Sequence, residues 1–249
     1  MNFLLVVPTL NSYKLLPKLI DSIKSQLFKD WRVIFIDGES GSDHKNFLKN
    51  ICKKDSRFEY IDQNKSSKGI YGAMNEGFRR VKKDEWMIFL GSDDWLASND
   101  VLMNISKLNI SPEKYHLLVA RAVYLDENSK ISRKSFFKYF KNFKLSLFIG
   151  STPAHQGTCF SFLLKDHLYN EEYKLAGDLE YFLRISKFNN LRVQLTEKII
   201  ANMSNGGVSQ KDWFLRLREV ILIYLKYFRL LFFIPLFGRY LIRFKSLIN

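Results

Sequence analysis

The chain has 249 residues, of which 47 % are hydrophobic, and it carries a formal net charge of +14. An apolar fraction of this size supports a substantial core, which excludes a disordered or fibrous protein. The charge indicates an anionic partner such as a nucleic acid, an acidic lipid surface or a phosphorylated substrate.

The cysteines and the first residues indicate the compartment. Cys52 and Cys159 match no metal-binding or redox spacing, so we expect two reduced thiols, as in a cytoplasmic protein. The first eight residues lack a basic region and a cleavage site, so no signal peptide is expected. Their apolar run has the length of a strand.

Strand and helix patterns alternate along the first hundred residues. Continuous apolar runs predict buried strands at residues 3–7, 32–36, 58–61 and 86–90, with amphipathic helices between them. The predicted fold class is therefore α/β, with a mostly parallel central sheet flanked by helices. Because ligands bind at the carboxyl ends of the strands in such sheets, the polar residues there are the first candidates for chemistry.

The next hundred residues are less regular, which indicates strands of mixed direction. We expect strands at residues 117–125, 158–164 and 192–201 and a helix at residues 178–187. The predicted organisation is one fold with two halves, residues 1–100 and 101–210, followed by a basic helical tail, residues 211–249.

The tail is apolar but studded with basic residues. Its longest uncharged stretch, Leu230–Gly238, is shorter than the roughly 18 to 20 residues that span a bilayer. The basic residues that share one narrow sector of a helical wheel are Lys211, Arg218, Lys226 and Arg229. This pattern predicts an amphipathic helix that lies in a membrane interface.

Two adjacent acidic residues follow the fourth predicted strand. Asp93 and Asp94 come after Gly91 and Ser92. Neighbouring carboxylates at the end of a buried strand repel each other and lose hydration. Mg²⁺ or Mn²⁺ resolves this conflict, because it binds one or two carboxylates together with phosphate oxygens. Alternatively, one of the aspartates caps a helix that begins near Trp95.

Two other segments are weak signals by themselves. Asp37 and Gly38 end the second strand, where a carboxylate can bind a base or a ribose hydroxyl, although Asp-Gly alone indicates a turn. Lys68 and Gly69 open the third helix, where the lysine can meet an anion, although ordinary helix packing gives the same pattern.

Taken in order, these segments resemble the family-2-type glycosyltransferases of the GT-A fold. The matching motifs are Val7-Pro8-Thr9-Leu10-Asn11 and residues 37–43, 68–77, 91–94, 176–178 and 206–209. The resemblance covers residues 1–210. Within the family, the chain is most similar to enzymes that build bacterial surface polysaccharides, such as the colanic-acid type.

The resemblance implies an inverting transfer of a sugar from a nucleotide-diphosphate sugar to a hydroxyl acceptor, with Mg²⁺ or Mn²⁺ as cofactor. Residues 1–100 would bind the nucleotide sugar and residues 101–210 the acceptor. The implied donor residues are Pro8, Thr9 and Asn11 at the nucleotide, Asp37 at the base, Lys68, Gly69 and Asn75 near the sugar-diphosphate, and Ser92 and Asp93 at the ribose or sugar. Asp94, with Asp93, would bind the metal.

Inverting transfer also needs a carboxylate that takes the proton of the acceptor hydroxyl. Asp178 matches the family's acidic position at the start of a helix. Many relatives have Glu-Asp there, whereas this chain has Gly177-Asp178, so Glu180 is the second candidate. His155 and Gln156 stand where relatives place polar residues near the acceptor or diphosphate.

Some of these residues also have plain structural explanations. His155 is equally consistent with a structural hydrogen bond. Gly206 and Gly207 could offer N–H groups to the acceptor or diphosphate, but glycine pairs also simply turn the chain.

Other protein classes fit less well. A nucleotide-sugar pyrophosphorylase would have a glycine-rich loop where this chain has residues 8–12, and no Gly-x-Gly-x-x-Gly follows a strand, as a dinucleotide oxidoreductase requires. The remaining alternative is a non-catalytic basic protein that binds nucleic acid or a membrane surface. Its support is the segment 134–144, where aromatic residues alternate with lysines, as in base-stacking surfaces or a helix in the lipid headgroups.

A lipid-linked saccharide acceptor would account for the motifs and for both basic stretches. We therefore expect a cytoplasmic enzyme attached peripherally to the inner face of the cell membrane. No nucleic-acid partner is expected.

Overall fold

The computed structural model describes residues 1–126, 130–135, 137–204 and 212–248, with side chains as far as residue 244. The strands are β1 (Asn2–Thr9), β2 (Trp31–Asp37), β3 (Phe58–Asp62), β4 (Glu85–Phe89), β5 (Trp95–Leu96), β6 (Leu117–Leu125), β7 (Ile131–Lys134), β8 (Thr158–Ser161) and β9 (Val193–Ser204). The helices are α1 (Leu16–Lys24), α2 (Ser42–Lys54), α3 (Gly69–Phe78), α4 (Val101–Ser106), α5 (Phe143–Phe148), α6 (Gly177–Ile185), α7 (Trp213–Phe228) and α8 (Phe233–Ile248).

Within the described residues, all nine strands belong to one sheet. Its order is β3-β2-β1-β4-β8-β6-β9-β5, and β7 pairs with β6. The first four positions are parallel, so β1, β2 and β4 end at the same edge. The strands of the second half run in both directions, as β8 is antiparallel to both β4 and β6. The α/β fold with a central sheet flanked by helices is confirmed.

One predicted strand ends early, and two of the alternatives do not fit the structure. The predicted strand at residues 158–164 ends at Ser161 and continues as a 3₁₀ turn. The segment after Asp94 forms strand β5, paired with β9, so neither aspartate caps a helix there. In the described part of the basic aromatic segment 134–144, helix begins only at Phe143.

The core lies on both faces of the sheet, because alternate residues of each buried strand point to opposite sides. On β1, Leu4 and Val6 face the side covered by α3, α6 and α7. Phe3, Leu5 and Val7 face the other side, which α1, α2 and α4 cover. Burial on both faces explains why these strands read as continuous apolar runs.

The tail helices are part of this core. Val220, Ile223 and Tyr224 of α7 are at most 1 % exposed and join the cluster around α6. The sequence predicted an amphipathic helix at a membrane interface, and the structure shows that one face of α7 packs against the core of the domain. No described helix is both long enough and apolar enough to cross a membrane.

Two glycines let the last helix approach α5 closely. Gly150, just after α5, has φ +83°, and a Cβ there would collide with the backbone of Pro235 and Arg239. A Cβ on Gly238 would collide with the carbonyl of Ile149. The contact is therefore backbone against backbone, which only glycine permits.

We predict that Gly150→Ala lowers the free energy of unfolding by about 3 kcal/mol or more, from overpacking added to the left-handed backbone. Gly69→Ala is the matched control, since Gly69 also has positive φ, +60°, but open space around its Cβ. That variant should lose only about 1 to 2 kcal/mol. Urea denaturation of the full chain measures both, and equal losses would mean that the helix crossing is not tight.

Candidate active site

The parallel half of the sheet brings the predicted donor residues of three strands to one edge. Thr9 stands opposite Asp37 in the register of β1 and β2, and its hydroxyl donates to the Asp37 carboxylate over 3.2 Å. The hydroxyl of Ser92, beyond β4, donates to the carbonyl of Pro8 over 3.2 Å. It accepts from the hydroxyl of Ser12 over 2.8 Å. Pro8, Thr9, Asp37 and Ser92 therefore lie together.

Asp37 organises the loop that follows β2. It is fully buried, and its carboxylate accepts from the Ser40 amide at 2.9 Å and the Ser40 hydroxyl at 2.5 Å, as well as from Thr9. The His44 ring lies 3.3 Å away, and burial lowers the pKa of that imidazole, so His44 stays neutral. A nucleobase that bound Asp37 would have to share carboxylate oxygens that already accept these hydrogen bonds.

Asn11 joins the loops after β1 and β2. Its amide donates to the Ser40 hydroxyl over 2.7 Å, and its side-chain oxygen accepts from the Gly41 amide over 2.9 Å. Asn11 has φ 49°, a left-handed conformation that asparagine tolerates better than most residues. These bonds give the corner a fixed shape.

The two acidic residues after β4 converge over a glycine. A Cβ on Gly91 would lie 2.9 Å from an oxygen of Asp93 and 2.9 Å from an oxygen of Asp94, so only glycine fits beneath them. Asp94 is buried, and its Oδ2 accepts from the Gly91 amide over 2.7 Å. Asp93 is partly exposed and accepts from the Ser204 hydroxyl over 2.8 Å.

Negative charges on both Asp93 and Asp94 are electrostatically unfavourable in this structure. Burial and the neighbouring Asp93 raise the pKa of Asp94 to about 7, although hydrogen bonds from Gly91 and Gln156 act in the opposite direction. Within the described residues, no third histidine, cysteine or acidic residue joins them in a metal-binding cluster. A cation here would need further oxygens from a ligand, as Mg²⁺ and Mn²⁺ sites with bound phosphates do.

His155 and Gln156 are adjacent in sequence but differ in environment. Gln156 hydrogen-bonds Asp94 and lines a cleft that also contains Asp178. The ring of His155 stacks on Phe89, and its Nε2 lies 2.5 Å from the Tyr169 hydroxyl. Burial lowers the pKa of His155 to about 4, so the ring is neutral near pH 7 and takes a structural hydrogen bond.

The residues predicted near the sugar-diphosphate fall into two groups. Asn75 is buried, and its side chain exchanges hydrogen bonds with the Tyr169 backbone and donates to Glu171. The amide of Lys68 also donates to Glu171, over 2.6 Å. Asn75 therefore holds the segment around residues 169–171, while Lys68 and its neighbour Gly69 are exposed at the surface.

Asp178 is presented at the start of α6, across the cleft from Gln156. Its amide donates to the Tyr71 hydroxyl over 3.4 Å, and one carboxylate oxygen accepts from the Leu179 amide over 2.8 Å. A Cβ on Gly177 would lie 2.7 Å from the Tyr71 ring. A side chain at position 177 would therefore have to displace the Tyr71 ring.

Glu180 points elsewhere. It is 2 % exposed, and its carboxylate accepts from the Tyr227 hydroxyl at 2.8 Å and lies 3.4 Å from Arg184 and 3.6 Å from Lys226. These partners place it against α7, whereas Asp178 lines the cleft. Of the two acidic candidates, Asp178 lines this cleft and Glu180 does not.

A residue of the tail fixes the chain leading to Asp178. The buried Glu219 of α7 accepts from three consecutive backbone amides, those of Lys174, Leu175 and Ala176, over 2.8 to 2.9 Å. Sequence reasoning missed this contact, because nothing in an amphipathic pattern marks a glutamate whose partners are backbone groups 43 to 45 residues away.

The two remaining predicted site residues, Gly206 and Gly207, lie outside the described residues.

Two known proteins are similar to this chain in sequence. A protein from Mycobacterium bovis named PGL/p-HBAD biosynthesis glycosyltransferase is 28 % identical over 211 residues, which are 83 % of this chain and 78 % of that protein. The GalNAc(5)-diNAcBac-PP-undecaprenol beta-1,3-glucosyltransferase of Campylobacter jejuni is 31 % identical over 57 % of this chain and 51 % of its own length.

A solved structure also matches in fold. The mannosyltransferase PcManGT from Pyrobaculum calidifontis, in complex with GDP-Man and Mn²⁺, superposes with a TM-score of 0.66 at 14 % identity. The match covers 96 % of this chain and 69 % of that one. At this identity the likeness shows the fold alone.

The family model described as glycosyl transferase family 2 matches residues 4–171. This span is well over half of the chain and contains β1, β2, β4 and the acidic pair. The chain therefore belongs to glycosyl transferase family 2 and has the GT-A fold.

Proposed function

We propose that the chain is an inverting, metal-dependent glycosyltransferase that moves a sugar from a nucleotide-diphosphate sugar to a hydroxyl of a lipid-linked saccharide in bacterial surface polysaccharide synthesis. The observation that carries the proposal is the buried Asp94 beside Asp93. Asp94 is hydrogen-bonded to Gln156, which lines the same cleft as Asp178. Family membership supports the transfer reaction, and the other assignments rest on the chemistry of the residues.

The donor would bind at the edge formed by β1, β2 and β4. The loops around Asn11 and Asp37, which hydrogen bonds hold together, would contact the nucleotide, with Pro8, Thr9 and Ser92 in the same corner. Lys68 and Gly69 are exposed at the start of α3, where the ammonium group of Lys68 can approach a diphosphate. PcManGT, which shares the fold, binds GDP-Man.

The acidic pair fits a divalent cation. One carboxylate oxygen of each aspartate lies next to Gly91, and a charge on the buried Asp94 is unfavourable unless a cation neutralises it. Asp94 and Asp93 would hold Mg²⁺ or Mn²⁺, with the donor's diphosphate completing the shell. When bound, the ion supplies stabilisation of the charge that develops on the leaving diphosphate.

Asp178 is the proposed general base. As the acceptor oxygen bonds to the anomeric carbon, the bond from that carbon to the diphosphate breaks, and the nucleoside diphosphate leaves with the electron pair. The hydroxyl proton passes to the carboxylate of Asp178. Attack opposite the leaving group inverts the anomeric configuration.

The lipid-linked acceptor and membrane attachment are supported by the tail. The large apolar side chains of α7, α8 and their connection that are at least 50 % exposed are Trp213, Phe214, Leu222, Leu230, Leu231, Phe233, Phe237 and Phe244. Basic residues such as Arg218 and Arg229 accompany them. An apolar surface with basic neighbours suits the anionic inner leaflet, and the Campylobacter relative is named for an undecaprenol-linked substrate.

The first prediction from this function concerns the reaction. With Mn²⁺, a panel of nucleotide sugars and a lipid-linked saccharide acceptor, the wild-type chain should transfer sugar and release nucleoside diphosphate, and Asp94→Ala and Asp178→Asn should each reduce transfer by about 10² to 10⁴-fold. Glu180→Gln is the matched control, because this residue packs against α7 and should transfer sugar wherever it folds. Full activity of Asp178→Asn together with an inactive, folded Glu180→Gln would reverse the assignment of the base.

The second prediction concerns the buried charge without metal. The folded-state pKa of Asp94, about 7, lies above its ordinary value of 3.8, so the folded chain binds the proton more tightly and loses stability as pH rises from about 4 to 7. Asp94→Asn should remove this loss. In EDTA, its melting temperature should exceed that of the wild type by a margin that grows to pH 7 and then stays constant. Asp21→Asn, on the exposed face of α1, should show no such trend.

The third prediction concerns the membrane. Vesicles containing anionic phospholipid should carry the wild-type chain in flotation, and Trp213→Gln with Phe237→Gln should weaken this binding about tenfold or more, because two large apolar groups leave the interface. Leu15→Gln with Leu27→Gln is the control, since both leucines are over 50 % exposed but lie at the two ends of α1. Equal loss in both variants would show that the tail surface is not the membrane contact.

A further inference from the structure

A cleft of ≈ 110 Å³ lies beside Asp178, and cations dominate its lining. This volume has room for several waters, and so for a phosphate group. The cationic residues are Arg133 and Lys134 of β7, Arg216 of α7, and Arg239 and Arg243 of α8. Among the described residues that line the cleft, Asp178 is the one carboxylate. An excess of positive charge in a concave site selects an anionic ligand.

The guanidinium groups lie close enough to repel each other. The charge of Arg239, followed by burial and by the charges of Arg216 and Arg133, lowers the pKa of Arg243 to about 9. Clustering like charges in a partly buried site costs stability, and an anionic ligand bound in the cleft would offset this repulsion.

Arg239 is the most buried member of the cluster, at 5 % exposure. Its Nη1 donates to the Thr152 hydroxyl over 2.8 Å, and its Nε has no hydrogen-bond partner among the described residues. Burial acts to lower the pKa of this guanidinium, but the nearby Tyr224 and Asp178 raise it overall, so it is charged and close to Asp178. A guanidinium has five N–H donors, which leaves capacity for phosphate oxygens.

We propose that this cleft binds the phosphate or diphosphate of the acceptor, an inference that rests on the transferase function proposed above. The acceptor sugar, to which the donor sugar is transferred, would be attached directly to that phosphate. Asp178 lines the same cleft, so a hydroxyl within its reach belongs to a sugar next to the bound phosphate. A long glycan would place its terminal hydroxyl too far away.

The position of the tail agrees with an acceptor rather than a donor. Arg216, Arg239 and Arg243 lie outside the span of the family model, residues 4–171, while the donor corner at β1, β2 and β4 lies inside it. On α8, Arg239 and Arg243 line the cleft, and Phe237 and Phe244 are exposed. A lipid could thus leave its phosphate in the cleft and extend its chain along this apolar surface.

The binding test uses inorganic pyrophosphate in EDTA, with the full chain and neither donor nor acceptor. Calorimetry should show pyrophosphate binding to the wild type and binding weakened about tenfold or more in Arg216→Ala with Arg243→Ala, because charge-assisted contacts are lost. The control is Arg218→Ala with Lys53→Ala, which removes the same charge from exposed positions on α7 and α2. Equal affinity in all three proteins would overturn the proposal.

The kinetic test separates the two sources of phosphate. With short-chain polyprenyl diphosphate acceptors that carry one sugar, the Arg216→Ala, Arg243→Ala variant should raise the acceptor KM at least about tenfold, more than any rise in the donor KM. A larger rise in the donor KM would assign the cleft to the donor diphosphate and overturn the proposal, as would equal use of acceptors carrying four sugars. Since pyrophosphate binding requires no turnover, failure of the transferase assay alone would leave the binding result standing.

Discussion

The site depends on one unfavourable charge. Asp94 is buried beside Asp93 over a glycine that admits no side chain, and the bonds it receives from Gly91 and Gln156 do not bring its pKa back to the ordinary range. A fold retains such a charge where a ligand neutralises it. The proposed cation and diphosphate explain why the sequence ends a buried strand in two adjacent carboxylates.

The second constraint is the close docking of the tail. Through Glu219, helix α7 fixes the backbone just before Asp178, and through the contact of Gly150 with Gly238, helix α8 brings Arg239 to the cleft. The tail is therefore both a wall of the site and a candidate membrane contact. These two roles fall on different faces of the same helices.

The sequence predicted the parts of the fold whose signals are local. Buried parallel strands read as apolar runs, so the sequence predicted β1, β2 and β4 and the polar residues at their ends, but not the order of the strands in the sheet. Short or exposed elements such as β5 and β7 have too few residues to show a period, and the partner that makes Trp95–Leu96 a strand lies about 100 residues away on β9.

The same distinction holds for the site. Asp93, Asp94 and Asp178 were predicted from the motifs that resemble the family, and their roles stay proposals, whereas the contacts of His155, Asn75 and Glu180 depend on partners distant in sequence. The arginine cluster could not be predicted for the same reason. Its members come from β7, α7 and α8, and in the sequence each arginine has the pattern of a solvent-exposed charge. Anomalous diffraction at the manganese edge, from crystals grown with Mn²⁺ and a nucleoside diphosphate, tests the central claim most directly. The account predicts a metal peak bound by Asp94 and the diphosphate; a diphosphate bound without metal, with Asp94 still held by the Gly91 amide, would contradict it.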